Sequence, residues 1–224
     1  MQTSAEILAH LRTLASPRDA EGQRRFGITP RGELLGVRAP VLRALARAHR
    51  REHELALELW ETGVHEARIV AALADDPKAV TRSQMERWVR DSDNWAATDA
   101  CCCVLFDRTP FAIEKAKAWS GRRAEFVRRA GFVLMAGMAV HRKELPDEVF
   151  VGFFPLIRRE AVDGRNFVKK AVNWALRQIG KRNPRLRVLA IAEAEEIHRL
   201  DSPSARWIAA GALRELRRAK SERQ

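Results

Sequence analysis

Cysteine and long hydrophobic runs are scarce in this sequence of 224 residues, and acidic side chains are outnumbered by basic ones. The three cysteines, Cys101, Cys102 and Cys103, are consecutive, so they can form neither ordinary disulfides nor a four-ligand zinc site among themselves. No apolar run approaches the roughly 18 residues of a membrane-spanning helix. Residues 1–6 lack the charged and apolar regions of a secretory signal. We therefore expect a reduced protein of the cytoplasm (cytosol or nucleoid), with no membrane partner and no metal.

Positive charge is the strongest global feature of the composition. The sequence has 41 Lys and Arg against 29 Asp and Glu, giving a formal charge of +12. The apolar content of 46% is ordinary for a globular protein. A surface of this charge attracts phosphate polyanions and favours nucleic acid as a partner, although the location of the positive residues matters more than their number.

The pattern of helix starts and apolar spacings predicts an all-α protein. A capping residue followed by proline is a common start of a helix, and it occurs at Ser16-Pro17, Asp76-Pro77, Thr109-Pro110, Asn183-Pro184 and Ser202-Pro203. Between these points apolar residues recur every three to four positions. We predict an α-solenoid of HEAT-like antiparallel helix pairs forming a curved superhelix. Residues 1–224 would form a single domain, with a loop at 27–40 and a frayed tail at about 218–224.

The helix predicted for residues 93–106 has two different sides. At 100° per residue, one side is an ordinary core stripe made of Ala97, Cys101, Val104 and Leu105. The opposite side carries Trp95 and Asp99, with Cys102 and Phe106 beyond them. This second side either packs on another core, with Asp99 bonded to a backbone amide, or forms a functional site.

The helix predicted for residues 167–180 places an aromatic ring among cations. Its core stripe is Val168, Ala171, Val172, Ala175, Leu176 and Ile179. Trp174 lies outside that stripe, in a row with Lys170, Arg177 and Lys181. The ring is either covered by lysine stems or the next repeat, or it is presented to a sugar-phosphate surface or a base.

Arg129 precedes a segment that is apolar on every side, residues 130–140, which must be central in the fold. A guanidinium at that point needs a carboxylate or a phosphate, because an unpaired buried charge costs several kcal/mol. Asp99 is a plausible neighbour, and a purely structural bridge between Asp99 and Arg129 is one of the alternatives.

Taken together, these elements resemble the AlkD-like DNA alkylation repair glycosylases, which are built from HEAT-like repeats. The resemblance covers roughly residues 25 to 185. It is carried by a "GVR-P-LR" segment at 35–43, an acidic-Arg stretch at 65–68, Trp95 followed by Asp99, Arg129, and the "F-KKA--W-LR" helix at 167–177.

The resemblance implies excision of cationic alkylated bases, such as 3-methyladenine and 7-methylguanine, from duplex DNA. It implies that Trp95 and Trp174 line the cleft for the lesion nucleotide, that Asp99 is the catalytic carboxylate and that Arg129 assists on the phosphate side. It also implies that the nucleotide is handled without a fitted base pocket. Because the sequence has no tyrosine, any tyrosine that the family uses for DNA contacts is absent.

The residues suit this chemistry. An alkylated purine is a good leaving group, so the barrier lies in the positive charge that develops on the deoxyribose. A carboxylate stabilises that charge and orients water, and indole faces add roughly 0.5–2 kcal/mol each. No cofactor is needed. The expected partner is duplex DNA containing alkylated bases, bound by a monomer without an obligatory protein partner. The predicted DNA-binding cations are Arg38, Arg43, Lys169, Lys170, Arg177, Lys181 and Arg182.

Two other functions fit the same sequence. One is a non-catalytic HEAT-like module that binds damaged or structured DNA. The other is a protein-binding scaffold whose basic charge is incidental. A carboxylate held close to a polyanion favours catalysis over both.

Overall fold

The computed structural model describes residues 2–218, and these residues form helices and loops with no strand. The prediction of an all-α protein is confirmed. The chain divides into two compact units, Met1–Thr109 and Pro110–Gln224. The single domain predicted for the whole chain stays a prediction. The predicted frayed tail, apart from its first residue Arg218, lies outside the described residues.

In the first unit the helices are short, and apart from the segment before α3 they are joined by short loops. They are α1 (Ser4–Thr13), α2 (Pro17–Arg25), α3 (Ala39–Ala48), α4 (His53–Glu61), α5 (His65–Ala74), α6 (Arg82–Asp91) and α7 (Trp95–Ala100). A π-helical turn, Cys101–Leu105, and a 3₁₀ turn, Phe106–Arg108, continue α7.

The second unit contains the longer helices. They are α8 (Ala112–Ser120), α9 (Glu125–His141), α10 (Asp147–Val151), α11 (Phe154–Glu160), α12 (Asn166–Lys181), α13 (Pro184–His198) and α14 (Pro203–Arg218).

Three of the five predicted capping pairs begin helices as expected, at α2, α13 and α14. The prediction at Asp76-Pro77 was wrong, because the Asp76 carboxylate accepts the Lys78 N–H and closes a turn instead. At Thr109-Pro110 the helix begins two residues later. There the Thr109 hydroxyl donates to the Phe106 carbonyl at 2.8 Å, so the threonine ends the preceding turn rather than capping the next helix.

The loop before α3 is fixed by a buried carboxylate. Glu66, fully buried in the first turn of α5, accepts hydrogen bonds from the backbone N–H groups of Leu35, Gly36 and Val37 at 3.0, 2.6 and 3.3 Å. Burial of a carboxylate is favourable only when its charge is met in this way. The irregular segment predicted at 27–40 is therefore an ordered loop, and α3 begins within it, at Ala39.

Aromatic stacking forms the centre of the first unit. The rings of Trp60 on α4 and Trp88 on α6 are parallel to within 3°, with centroids 4.2 Å apart. Phe106 packs against Trp88 at 6.0 Å, and the Arg68 guanidinium lies 4.9 Å from the centre of the Trp60 ring. Helix α5 contacts α3, α4 and α7, which places it at the middle of this unit.

Helix α9 is the centre of the second unit. Residues 130–139 are all buried, as the sequence predicted, whereas Val140, the last residue of the predicted central segment, is 39% exposed. Helix α9 packs on both α8 and α12. The predicted core stripe of α12 is also confirmed, since all six of its residues are fully buried. Although α9 is long and apolar, no helix within residues 2–218 has the length and hydropathy needed to cross a membrane.

The backbone at Gly36 leads to a test of the loop. Its φ is +79°, and a Cβ there would overlap the Ser16 carbonyl oxygen and lie 2.5 Å from the Ala20 nitrogen. Gly36→Ala is therefore expected to lower the free energy of unfolding by about 2 kcal/mol or more, measured by urea denaturation. Gly22→Ala is the matched control: Gly22 is inside α2 with open space around it, so the change should be neutral or stabilise by up to about 1 kcal/mol. Equal effects of the two substitutions would contradict the assigned loop conformation.

Candidate functional site

Trp95 and Asp99 line the same cavity in the first unit, one helical turn apart on α7. The cavity has a volume of about 440 Å³ and also contacts α2, the loop before α3, α3 and α5. Both side chains are half-buried. The structure thus brings together the carboxylate and one of the two tryptophans singled out in the sequence.

The cavity wall is mainly aliphatic. Its apolar residues include Ile28, Val37, Leu42, Ile69, Leu73 and Val104, and its polar side chains are Gln23, Arg43, His65 and Asp99. A small number of polar groups in an apolar cleft is typical of ligand sites. Within residues 2–218, no cluster of three His, Cys, Asp or Glu side chains could hold a metal ion.

The predicted faces of this helix needed one correction. The sequence left open whether the side that carries Trp95 and Asp99 packs on a second core, and Cys102 and Phe106, beyond Asp99 on that side, are fully buried as this alternative expects. Val104, which was assigned to the core stripe, lines the cavity instead. The π-helical turn at Cys101–Leu105 is the reason, because it takes one more residue per turn than an α-helix and shifts every later side chain around the axis.

The cysteines of this turn behave as small core residues. Cys101 and Cys102 are buried, and burial raises the pKa of both thiols above their ordinary value. A buried thiol of this kind stays protonated and is a poor nucleophile. Cys103 is half-buried.

The start of α7 is held by a buried asparagine. Asn94 caps the helix, its side-chain oxygen accepting the N–H groups of Ala96 and Ala97 at 3.0 and 3.1 Å. Its amide nitrogen lies 3.4 Å from Nδ1 of His65, at the start of α5. Helix α5 thereby fixes where α7 begins, and with it the positions of the two cavity residues.

The indole of Trp95 is fixed from a different side. Its Nε1–H donates to the Phe26 carbonyl at 2.9 Å, at the end of α2. Phe26 itself is an exposed aromatic side chain, with 78% of its surface accessible. The ring of Trp95 is therefore held between α7 and the α2 end rather than free to turn.

Two predicted DNA-binding cations belong to this unit. Arg43 lines the cavity and is exposed. Arg38, next to the cavity residue Val37, makes a two-pronged pair with Asp19, at 2.9 and 3.1 Å. The Arg38 guanidinium lowers the pKa of Asp19 below its ordinary value, so the carboxylate is ionised at neutral pH.

In the second unit, Arg129 is buried and joins two helices. Its guanidinium donates to the Phe167 carbonyl in the first turn of α12 at 2.7 Å. The sequence predicted a carboxylate or a phosphate as its partner, and a backbone carbonyl meets part of that requirement. Asp99 and Arg129 lie in different units, so the predicted bridge between them stays a prediction.

Trp174 is half-buried on α12, and Lys170, one turn before it, is exposed. The other two cations of the predicted row have acidic partners. Arg177 and Lys181 both pair with Glu215 of α14, and the Lys181 contact is 2.6 Å long. This partner was invisible in the sequence because it is 34 or more residues away.

The remaining two predicted contacts also have structural roles. Arg182 donates to the backbone carbonyls of Ala139, Arg142, Lys143 and Leu145, and so closes the loop after α9. Its guanidinium also lies 4.4 Å from the centre of the Phe150 ring. Lys169 lies over the ring of Trp207, 5.3 Å from its centre. We therefore leave Arg182 out of the proposed DNA contacts.

Sequence reasoning did not assign site roles to His65 and Glu66. His65 lines the cavity beside Asp99, and Glu66 holds the loop that forms another wall. The available signal was a carboxylate in the first turn of an apolar helix, together with a glycine-rich segment earlier in the chain whose backbone N–H groups need acceptors.

Comparison with known structures defines the fold. A solved structure matches with a TM-score of 0.80 at 19% identity, covering 97% of this chain and 95% of that one. It represents a family described as related to the HEAT-like repeat DNA glycosylases with affinity for branched DNA structures. The fold of this chain is accordingly of the HEAT-like repeat class, as predicted.

The sequence itself matches the family described as DNA alkylation repair enzyme over residues 7–215. The chain belongs to that family. No curated protein sequence matches it.

His65 provides a test of the site by pH. Burial lowers the pKa of His65 below its ordinary 6.5, opposed by the charges of Glu66 and Asp93 and assisted by Arg68. In the unfolded chain His65 becomes protonated near pH 6.5, whereas in the folded chain it stays neutral to a lower pH. The free energy of unfolding therefore falls as the pH drops below 6.5. From pH 7.5 to 5.5, the wild type should lose up to about 1.4 kcal/mol more unfolding free energy than His65→Gln.

Urea denaturation of both proteins at the two pH values measures this difference. His198→Gln is the control, because His198 is exposed at the end of α13 and its loss should leave the wild-type pH dependence intact. If the wild type and His65→Gln lose the same unfolding free energy, the pKa of His65 is not lowered in the folded state.

Proposed function

We propose that this protein is a DNA glycosylase that hydrolyses the N-glycosidic bond of cationic alkylated purines, such as 3-methyladenine and 7-methylguanine, in duplex DNA. The observation that carries the proposal is the placement of Asp99 and Trp95 on one cavity wall. Membership of the DNA alkylation repair enzyme family supports it. The activity would be that of base excision repair, in the cytosol or nucleoid where DNA lies.

The proposed reaction uses the positive charge of the lesion. The alkylated base leaves as a neutral molecule, with the electron pair of the broken C–N bond, and the deoxyribose becomes an oxocarbenium ion. The Asp99 carboxylate stabilises that cation and accepts a proton from the water that attacks it, so the new C–O bond leaves a neutral hydroxyl group on the sugar. The indole of Trp95 adds cation–π stabilisation, and its hydrogen bond to Phe26 keeps the ring in place.

DNA binding is assigned to cations of both units. In the first unit these are Arg43 and Arg38, and a phosphate would replace Asp19 as the partner of Arg38. In the second unit, Lys170 would contact the backbone and Trp174 would contact the lesion nucleotide, with Arg129 on the phosphate side. Arg177 and Lys181 would contribute less, because Glu215 already neutralises part of their charge.

A non-catalytic DNA-binding module is the second candidate. It is favoured by one finding, the affinity for branched DNA described for the family of the similar structure. This candidate predicts tight binding of forked or branched DNA with no base release. The alkylated-duplex specificity of the first candidate would then be wrong, while DNA binding would remain.

Release of 7-methylguanine from a duplex oligonucleotide decides between the candidates. Asp99→Asn should reduce single-turnover release by about 100-fold or more, because an amide cannot stabilise the oxocarbenium ion as a carboxylate does. Its affinity for the duplex should be unchanged or higher, since a negative charge near the phosphates is removed. Glu58→Gln removes a charge from an exposed position of α4 and should keep wild-type release.

Each outcome has a distinct meaning. Full release by Asp99→Asn would exclude Asp99 as the reacting carboxylate even within this family. No release by the wild type, with binding retained, would favour the DNA-binding module. Neither release nor binding at physiological salt would leave the protein scaffold.

Lys170 tests the assigned binding surface separately. Lys170→Ala should reduce the slope of log K against log salt concentration for duplex DNA by about 0.9, the value for one phosphate contact. Lys117→Ala, at an exposed position of α8, is the matched control and should leave the slope unchanged. Fluorescence anisotropy of a labelled duplex, measured over a series of salt concentrations, gives the slope for each variant. Equal slopes for Lys170→Ala and the wild type would remove Lys170 from the contact set.

A further inference from the structure

A groove of the second unit lies between α12 and α14 and is not used by the proposed reaction. Its volume is about 610 Å³, and it is lined by Asn173 and Arg177 from α12 and by Trp207, Gly211, Arg214 and Arg218, among others, from α14. Neither Trp174 nor Arg129 lines it.

Close packing of the two helices builds this groove. The Asn173 amide donates to the Ile208 carbonyl at 2.8 Å, and a Cβ at Gly211 would come within 2.9 Å of the same amide. Glu215 pairs with Arg177 and Lys181 from the α14 side. The groove is therefore a fixed feature of two packed helices.

An aromatic ring stands at one end of the groove. Trp207 keeps 46% of its surface exposed. This exposure is unusual for a large apolar side chain, since α14 buries most of its other apolar residues. The ammonium of Lys169 lies 5.3 Å from the ring centre. The Trp207 ring and the Lys169 ammonium therefore form a cation–π pair at the groove.

Cations continue from the ring along α14. Arg214 and Arg218 follow Trp207 at seven and eleven residues, so all three lie on one side of the helix, about 10 and 16 Å along its axis. Both arginines are exposed. Arg177 also lines the groove, and Lys169 lies at its Trp207 end. These four cations outnumber the one carboxylate of the lining, Glu215, so the groove is positively charged overall.

Arg177 thus adds a positive charge at the groove, and its Nη1 pairs with Glu215.

We propose that this groove binds an unpaired segment of a nucleic-acid strand, with one base stacked on Trp207 and its phosphates at Arg214 and Arg218. A basic groove that tracks the backbone beside an exposed aromatic ring is the arrangement by which single strands are bound without sequence preference. Intact duplex gains nothing from the Trp207 ring, because its bases are already stacked on one another. An acidic peptide would use the arginines but gain little from the ring.

This site is independent of the proposed glycosylase reaction, since it uses neither Asp99 nor Trp95. It adds a second kind of nucleic-acid contact, for strand that is not paired. The experiment below measures binding alone, so its failure leaves the proposed reaction untouched, and the reverse also holds.

The test is binding of a 5′-labelled oligothymidine 15-mer (about the upper site size for one such groove) to the full-length protein, followed by fluorescence anisotropy. Trp207→Ala should weaken binding about fivefold or more, the lower limit for loss of one stacked base. Trp207→Phe keeps a stacking face and should bind within about twofold of the wild type. Arg206→Ala, next to Trp207 but not lining the groove, removes a charge from the same helix and should also bind normally.

The phosphate contacts have their own readout. Arg214→Ala and Arg218→Ala should each reduce the salt slope for the single strand by about 0.7, the value for one contact to unpaired nucleic acid. Binding of a blunt duplex of the same length should change less than twofold in Trp207→Ala. Thermal unfolding of each variant checks that the fold is retained.

Three results would overturn the assignment. Wild-type affinity of Trp207→Ala for the single strand would place the binding elsewhere. An equal loss of duplex affinity would make the groove a general backbone contact. Equally strong competition by polyglutamate would show attraction of any polyanion, without a role for the ring.

Discussion

The buried carboxylate of Glu66 is the interaction on which the first unit depends. An ionised side chain without contact to water is unfavourable unless donors surround it, and here three consecutive backbone N–H groups of the loop do so. The same contact works in both directions, because a loop that lies against the core must also satisfy its own amides. One side chain thus orders the segment that supplies Val37 to the cavity and Arg38 to its surroundings.

The preceding residue, His65, extends this effect to the helix that carries the proposed site. His65 contacts Asn94, which caps α7, so the first turn of α5 positions both the loop wall and the helix that carries Trp95 and Asp99. A carboxylate that stabilises a developing cation must be in place before the charge appears, and rigid supports make that possible. The cavity in this chain is largely aliphatic around one acid, and in such surroundings electrostatic stabilisation is stronger than in water.

The spacing of apolar residues predicted the helices whose core contacts repeat over several turns. It could not predict side-chain partners that come from distant parts of the chain. The α12 stripe and the burial of α9 followed from 3.6-residue spacing, since core contacts there continue over several turns. Asp99 and Trp95 were predicted to lie together because an acid and an indole stood off the core side, and both line the cavity. Glu215 and the four carbonyls around Arg182 escaped prediction because tertiary packing brings them from α14 and from the end of α9 with its following loop. Val104 was wrongly assigned to the core stripe because spacing assumes a uniform helix, which the π-helical turn interrupts.

That turn makes the number of residues between 101 and 105 as important as their identity. Deleting one of them would let the segment close as an α-helix, and each later side chain would rotate by about 100° relative to Asp99. Val104 would leave the cavity wall, and Phe106 would leave its contact with Trp88. Insertions and deletions are usually tolerated in surface loops and not in cores. Here a change in chain length at one buried turn would alter the cavity and the aromatic core together, so relatives that keep this cavity are expected to keep the same residue count from Trp95 to Phe106.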